Sequence, residues 1–206
     1  MSTAEGVIRF ELDHVNADLH SIKVSEIDAW RCLFKQVGII GRFDDRYDGY
    51  GFGNLSQRTG GGFLISGTQT GSKATTVLKD YAEVTDWNAK LNAITSRGTI
   101  KPSSESLTHA VIYELRNEVE YVFHVHSPEI WKAAADLNIP ITDPDIPYGT
   151  PEMAQAVRRR VSEAELPGVL SMGGHEDGII GYGRTASETG LLLMRCLVDA
   201  IGVLRR

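Results

Sequence analysis

His124-Val125-His126 ends a strand-like run, Glu120 to His126, in which aromatic, aliphatic and histidine residues alternate. Residues i and i+2 of a strand project to one face, so both imidazoles can reach a single ion, and the strand sets their separation before any metal arrives. Two ligands do not complete a site, and the pair alone reads equally as two core or surface histidines. His175 offers a third ligand from the turn Gly174-His175-Glu176-Asp177-Gly178, whose glycines let backbone approach closely.

Glu105 follows Ser103-Ser104 at the first turn of a helix. Backbone N–H groups there lack intrahelical partners and the helix dipole favours an anion, so the hydroxyls and amides suit a substrate phosphate. Ser-Ser-Glu is equally a plain helix start. His109 shares the face of Glu105 and is placed to orient it, or to be a satisfied core residue. In the segment Gly51 to Ser56, the spacing of a dinucleotide fingerprint and the lysine of a P-loop are both lacking. Asn54 and Ser56 could donate to an anion or cap a tight turn.

The elements that must position these groups follow from pattern. Ser25 as cap, Asp28 at the capping-box position and Ile27, Trp30, Leu33 and Val37 at helical spacing predict a helix ending near Gly38 to Gly41. Tyr47 to Gly62 reads as a glycine-interrupted loop before a strand over Phe63 to Ser66. Further strands are expected over Tyr81 to Asp86, Thr95 to Ile100, Val169 to Met172 and Ile179 to Tyr182. Helices are expected after Ser103-Ser104, after Ser127-Pro128-Glu129 to about Leu137, and after Thr150-Pro151-Glu152 to about Glu163. A last helix is capped by Thr185 or Ser187. Short connections predict an α/β fold: a three-layer α/β/α sandwich with a central, mainly antiparallel sheet. Residues 1–24 are read as an irregular N-terminal arm and 25–206 as one domain.

Composition narrows the function. The 206 residues carry 21 Lys and Arg against 27 Asp and Glu, a formal charge of −6, with no long basic run. No footprint for nucleic acid or an anionic membrane results; Arg158, Arg159 and Arg160 read as one solvated helix face. Two cysteines, Cys32 and Cys196, make no disulfide framework and are expected as buried, reduced thiols in a cytoplasmic protein. Met1 to Phe10 lacks the pattern of a secretory signal. Leu191 to Leu204 carries Arg195 and Asp199 and is shorter than the roughly 20 residues a bilayer needs, so it is expected in the core and partly in a subunit contact.

Six segments in order resemble the class II aldolase/adducin family over about residues 25 to 204. They are Gly53-Asn54-Leu55-Ser56 with Arg58; Phe63-Leu64-Ile65-Ser66; Pro102-Ser103-Ser104-Glu105 with His109; His124-Val125-His126-Ser127-Pro128; Tyr148-Gly149-Thr150; and a late His followed by Gly. The resemblance implies a divalent metal, zinc first, held by His124, His126 and His175. It implies Glu105 as general acid/base, Asn54, Ser103, Ser104, Thr70 and Gly71 as a phosphate cradle, and His109 behind them. The reaction implied is that of a metal-dependent lyase acting on a small hydroxyketone or ketose phosphate through a metal-stabilised enediolate. A small-molecule substrate and a homotetramer are the implied partners.

Four departures from the family pattern qualify the reaction. The Ser66-Gly67-Thr68-Gln69-Thr70-Gly71 turn is longer than the family's, and His126 to Tyr148 is shorter than in its sugar-phosphate aldolases. The tyrosine proton donor of their C-terminal tail is expected to have no counterpart. Glu176 and Asp177 also separate His175 from its glycine, which would add a carboxylate near the metal or re-aim the ring. A dehydratase, epimerase or decarboxylase on the same site, and a noncatalytic adducin-like module, therefore remain alternatives. A cupin is contradicted by the capped amphipathic helices.

Overall fold

The computed structural model describes residues 6–162 and 164–205. The predicted helix end at Glu163, the first residues of the arm and Arg206 lie outside the described residues. In chain order the elements are β1 (Glu11–Asn16), α1 (Ser25–Gln36), β2 (Gly41–Arg42), β3 (Gly51–Phe52), β4 (Asn54–Thr59), β5 (Gly62–Ser66), β6 (Tyr81–Asn88) and β7 (Ala93–Gly98). They continue as α2 (Ser106–Leu115), β8 (Tyr121–His126), α3 (Pro128–Ala133), α4 (Pro151–Val161), β9 (Gly168–Ser171), β10 (Gly178–Gly183) and α5 (Ala186–Leu204).

Eight strands form one sheet in the order β1-β7-β6-β5-β4-β8-β10-β9. Every neighbouring pair is antiparallel except β1 with β7. Strand periodicity sorts the side chains into two cores. Phe63, Ile65, Val84, Val122 and Ile180 pack with Leu107, Val111, Met153 and Val157 of α2 and α4. Leu55, Leu64, Phe123, Val125 and Ile179 pack with Ile27, Phe34, Ile130 and Leu193 of α1, α3 and α5 on the other face. The α/β/α sandwich with a mainly antiparallel sheet is therefore present.

Two local readings need correction. The arm is not irregular throughout: β1 lies inside it and pairs in parallel with β7 at the sheet edge. Residues 54–59, read as loop, form β4 in the sheet's middle, between β5 and β8. Caps divide by whether a hydroxyl reaches the first turn. Ser127, Thr150 and Thr185 each accept from a backbone N–H, and Glu188 completes a capping box with Thr185. At α1 the N-cap is Val24, whose side chain has no acceptor, and Asp28 instead accepts from Thr76 across the fold. No helix among the described residues is long and apolar enough to cross a membrane.

Candidate metal centre

Strand β8 alternates across the sheet, sending Phe123 and Val125 to one core and Val122, His124 and His126 to the face under α2. On that face the β4 partner of His124 is Asn54 and that of Val122 is Ser56. The β10 partner of His126 is Gly178, which closes the turn carrying His175. The ladder thus brings together residues some fifty positions apart, and His124, His126 and His175 place ring nitrogens within 4.8 Å of one another, all buried.

The chemistry of this donor set fits a metal. His124 Nδ1 lies 3.1 Å from the Ile179 carbonyl; an oxygen without hydrogen can only accept, so Nδ1 carries the proton and Nε2 presents a bare lone pair. His124 Nε2 lies 3.1 Å from His126 Nε2. Tetrahedral ligands on a zinc at its usual Zn–N distance stand roughly 3.3 Å apart, close to this spacing. Burial first, then the charge of neighbouring His175, hold both imidazoles well below the ordinary histidine range, which keeps them in the neutral form that binds metal.

His175 is delivered by a turn that tolerates no side chain in front of it. A Cβ at Gly174 would lie 1.8 Å from the Ile146 carbonyl oxygen, and one at Gly173 would lie 2.3 Å from that of Thr142. The His175 ring stacks on Tyr148 with centroids 4.4 Å apart, and the Arg9 guanidinium lies 4.3 Å from the centroid of the same tyrosine. Glu105, fully buried, places Oε1 3.8 Å from His175 Nδ1 while Oε2 accepts from the Thr108 hydroxyl at 3.0 Å. The two intervening acids do not join the triad: Glu176 is exposed, and the Asp177 carboxylate accepts from Tyr47.

Asn54, Thr70, Gly71, Ser103 and Ser104 line one small polar cavity of about 20 Å³. The loops bearing them run side by side, bridged at Gly67 and Pro102. Asn54 Oδ1 is buried with no hydrogen-bond partner among the described residues. Three contributors were missed from sequence. Gly6 of the arm lines the same cavity. Arg31 and Lys35 of α1 donate to the carbonyls of Thr70, Gly71, Ser72 and Lys73, so the turn's acceptors face the cations of α1. No sequence pattern signals that these two basic residues of a helix reach this turn.

His109 is held in the core by a hydroxyl cluster. Its Nδ1 lies 2.7 Å from Ser56 Oγ, which also contacts Tyr113 Oη at 2.8 Å and the Val122 carbonyl at 3.2 Å. Burial pushes this imidazole down to about 3. The unfolded chain takes up its proton near pH 6.5 while the folded one does not, so stability is full above that pH. Below it, stability falls by about 1.4 kcal/mol per pH unit towards pH 3. His109→Gln should flatten this acid limb in urea unfolding measured between about pH 4 and 7; parallel slopes would count against a neutral buried His109.

Residues 42–195 match the Class II Aldolase and Adducin N-terminal domain. The chain belongs to that family. Among solved structures it is similar to L-fuculose-1-phosphate aldolase from Thermus thermophilus, at 20% identity over 88% of this chain and 92% of the other, with TM-score 0.68. It also resembles YgbL from Escherichia coli, a candidate aldolase, epimerase or decarboxylase, at 16% identity over 87% and 86% with TM-score 0.65. For a sugar-phosphate aldolase from Thermotoga maritima the values are 15%, 87%, 94% and 0.62. Comparison with curated proteins finds no match.

Proposed function

We infer that the chain is a metal-dependent carbon–carbon lyase of the aldolase type, acting on a small hydroxyketone or ketose phosphate. The observation that carries this reading is the buried His124, His126 and His175 triad with Glu105 beside it, in a chain of this family. The three histidines would hold a divalent ion, zinc first. Such an ion supplies Lewis-acid stabilisation of the charge that develops when a bond next to a carbonyl breaks.

The remaining work falls to the chain's own residues. Glu105 holds or gives up a proton at Oε1, with Oε2 fixed by Thr108. Asn54, Thr70, Gly71, Ser103 and Ser104 bind the substrate's anionic end through hydroxyls, an amide and backbone N–H groups. The His109 ring supports the site through Ser56. A homotetramer is part of this reading. It is supported by the exposed Leu191 and Val198 on α5, and a monomer in light scattering at micromolar concentration would remove it.

Incubation with ketose phosphates followed by product analysis tests the reaction. An aldehyde fragment is expected. An intact carbon skeleton would favour the dehydratase or epimerase reading, and released CO₂ a decarboxylase; the likeness to YgbL supports keeping these second. Metal uptake with no turnover on any sugar phosphate would favour an adducin-like interaction module.

A further inference from the structure

Beside two of the three histidines lies a cluster that the chemistry above does not use. Between β2 and β3 the backbone passes through two consecutive left-handed residues, Tyr47 at φ 50° and Asp48 at φ 55°. Non-glycine residues adopt this conformation at a cost and keep it only where their surroundings hold it. Arg46 does part of the holding. It donates to the Gly38 carbonyl at 2.9 Å and to the Tyr47 hydroxyl at 2.8 Å, and its guanidinium lies 4.9 Å from the Tyr47 ring centroid and 4.6 Å from that of Phe52.

Tyr47 touches one ligand directly and the turn of another through Asp177. Its ring packs edge-on against His126, centroids 4.7 Å apart. Its hydroxyl donates to Asp177 Oδ2 at 2.7 Å. Asp177 follows His175 by two residues, is itself left-handed at φ 60°, and accepts at its carbonyl from the N–H of Ser127, the residue after His126. The β8–β10 ladder registers the two backbones at His126 and Gly178. Register alone sets neither the His126 ring plane nor the path of the turn that presents His175. Tyr47 also lines an open cavity of about 500 Å³, so its ring touches both a solvent space and a fully buried ligand.

We propose that Tyr47 is a positioning residue of the metal centre. Its ring fixes the plane of His126, and its hydroxyl, through Asp177, fixes the turn that delivers His175. One side chain thereby sets the relative placement of two ligands from distant parts of the chain. The proposal rests on the three-histidine metal reading and goes beyond it by assigning the brace.

Cobalt(II) titration of the metal-stripped chain, read by visible absorption and calorimetry, tests this. Tyr47→Phe keeps the ring on His126 and loses the hydroxyl. Asp177→Gly removes the same hydrogen bond from its other end and accepts the positive φ, while Asp177→Asn keeps an acceptor. Tyr47→Phe and Asp177→Gly should each weaken cobalt binding about tenfold or more and alter the absorption bands, as loss of a group orienting a ligand does. The double variant should be no worse than the weaker single, since both break one interaction, and Asp177→Asn should bind as wild type.

Wild-type affinity in Tyr47→Phe or Asp177→Gly overturns the proposal. So do additive losses in the double variant, or losses that merely track lower melting temperatures of the metal-free proteins. Should one single variant fail to fold, the other decides. A wild-type chain that takes up no cobalt overturns the metal reading itself, which keeps the two failures distinct.

Discussion

Treatment with a chelator is expected to lower the melting temperature by roughly 10 °C and to stop turnover, with both restored by added zinc. The size follows from linkage: an ion held at a thousand times its dissociation constant stabilises the folded state by about 4 kcal/mol, and a chain of this length shifts by about 2–4 °C per kcal/mol. The direction follows from the site. Two neutral, fully buried imidazoles with ring nitrogens 3.1 Å apart are placed to take one cation between them. In His126→Ala the chelator should change neither quantity, since two ligands hold an ion poorly. A wild-type protein whose melting and turnover ignore the chelator, and which carries no metal by elemental analysis, would end the metal-dependent reading.

Glu105→Gln should keep the metal and lose at least about a hundredfold in turnover, the usual share of a general acid or base. That loss corresponds to about 2.7 kcal/mol of barrier. Glutamine preserves shape and can still accept from the Thr108 hydroxyl through its amide oxygen, so the change isolates the carboxylate's proton chemistry. Metal content equal to wild type with collapsed kcat is the expected pair of results, read by elemental analysis and steady-state kinetics. Unchanged kcat would remove Glu105 from the reaction and leave it a buried partner of His175.

Where sequence pattern succeeded, side-chain period and chemistry agreed. His124 and His126 were legible because a two-residue period is a strand's signature and nothing in β8 conflicts with it. β4 was misread for the opposite reason. Its Asn54, Ser56 and Arg58 occupy the face under α2, where an ordinary strand would show apolar residues. Asn54 lines the cavity, Ser56 binds His109 and Tyr113, and Arg58 donates to the carbonyls of Tyr113 and Arg116 at the end of α2. Local pattern fails where a site replaces core.

Other features left no local trace. β1 is a charged edge strand whose pairing is wholly with a distant partner, Glu11 to Asn16 against Ala93 to Gly98. The bonds from Arg31 and Lys35 to a turn some forty residues on depend on how α1 lies against it. Tyr47 sits in a segment whose glycines announce only irregular backbone. These contacts are tertiary, and neither spacing nor composition encodes them.

The turn that presents His175 also has an evolutionary reading. Gly173 and Gly174 are closed to side chains by carbonyl oxygens of the 142–146 segment, His175 is the proposed ligand, and Asp177 is tied to Tyr47. Glu176 alone points into solvent without such a constraint. In a saturation library of residues 173–177 selected for folding and metal uptake, diversity should survive at position 176 and collapse at the other four. A substitution at position 176 would then alter the charge at the mouth of the site without disturbing the ligand beneath.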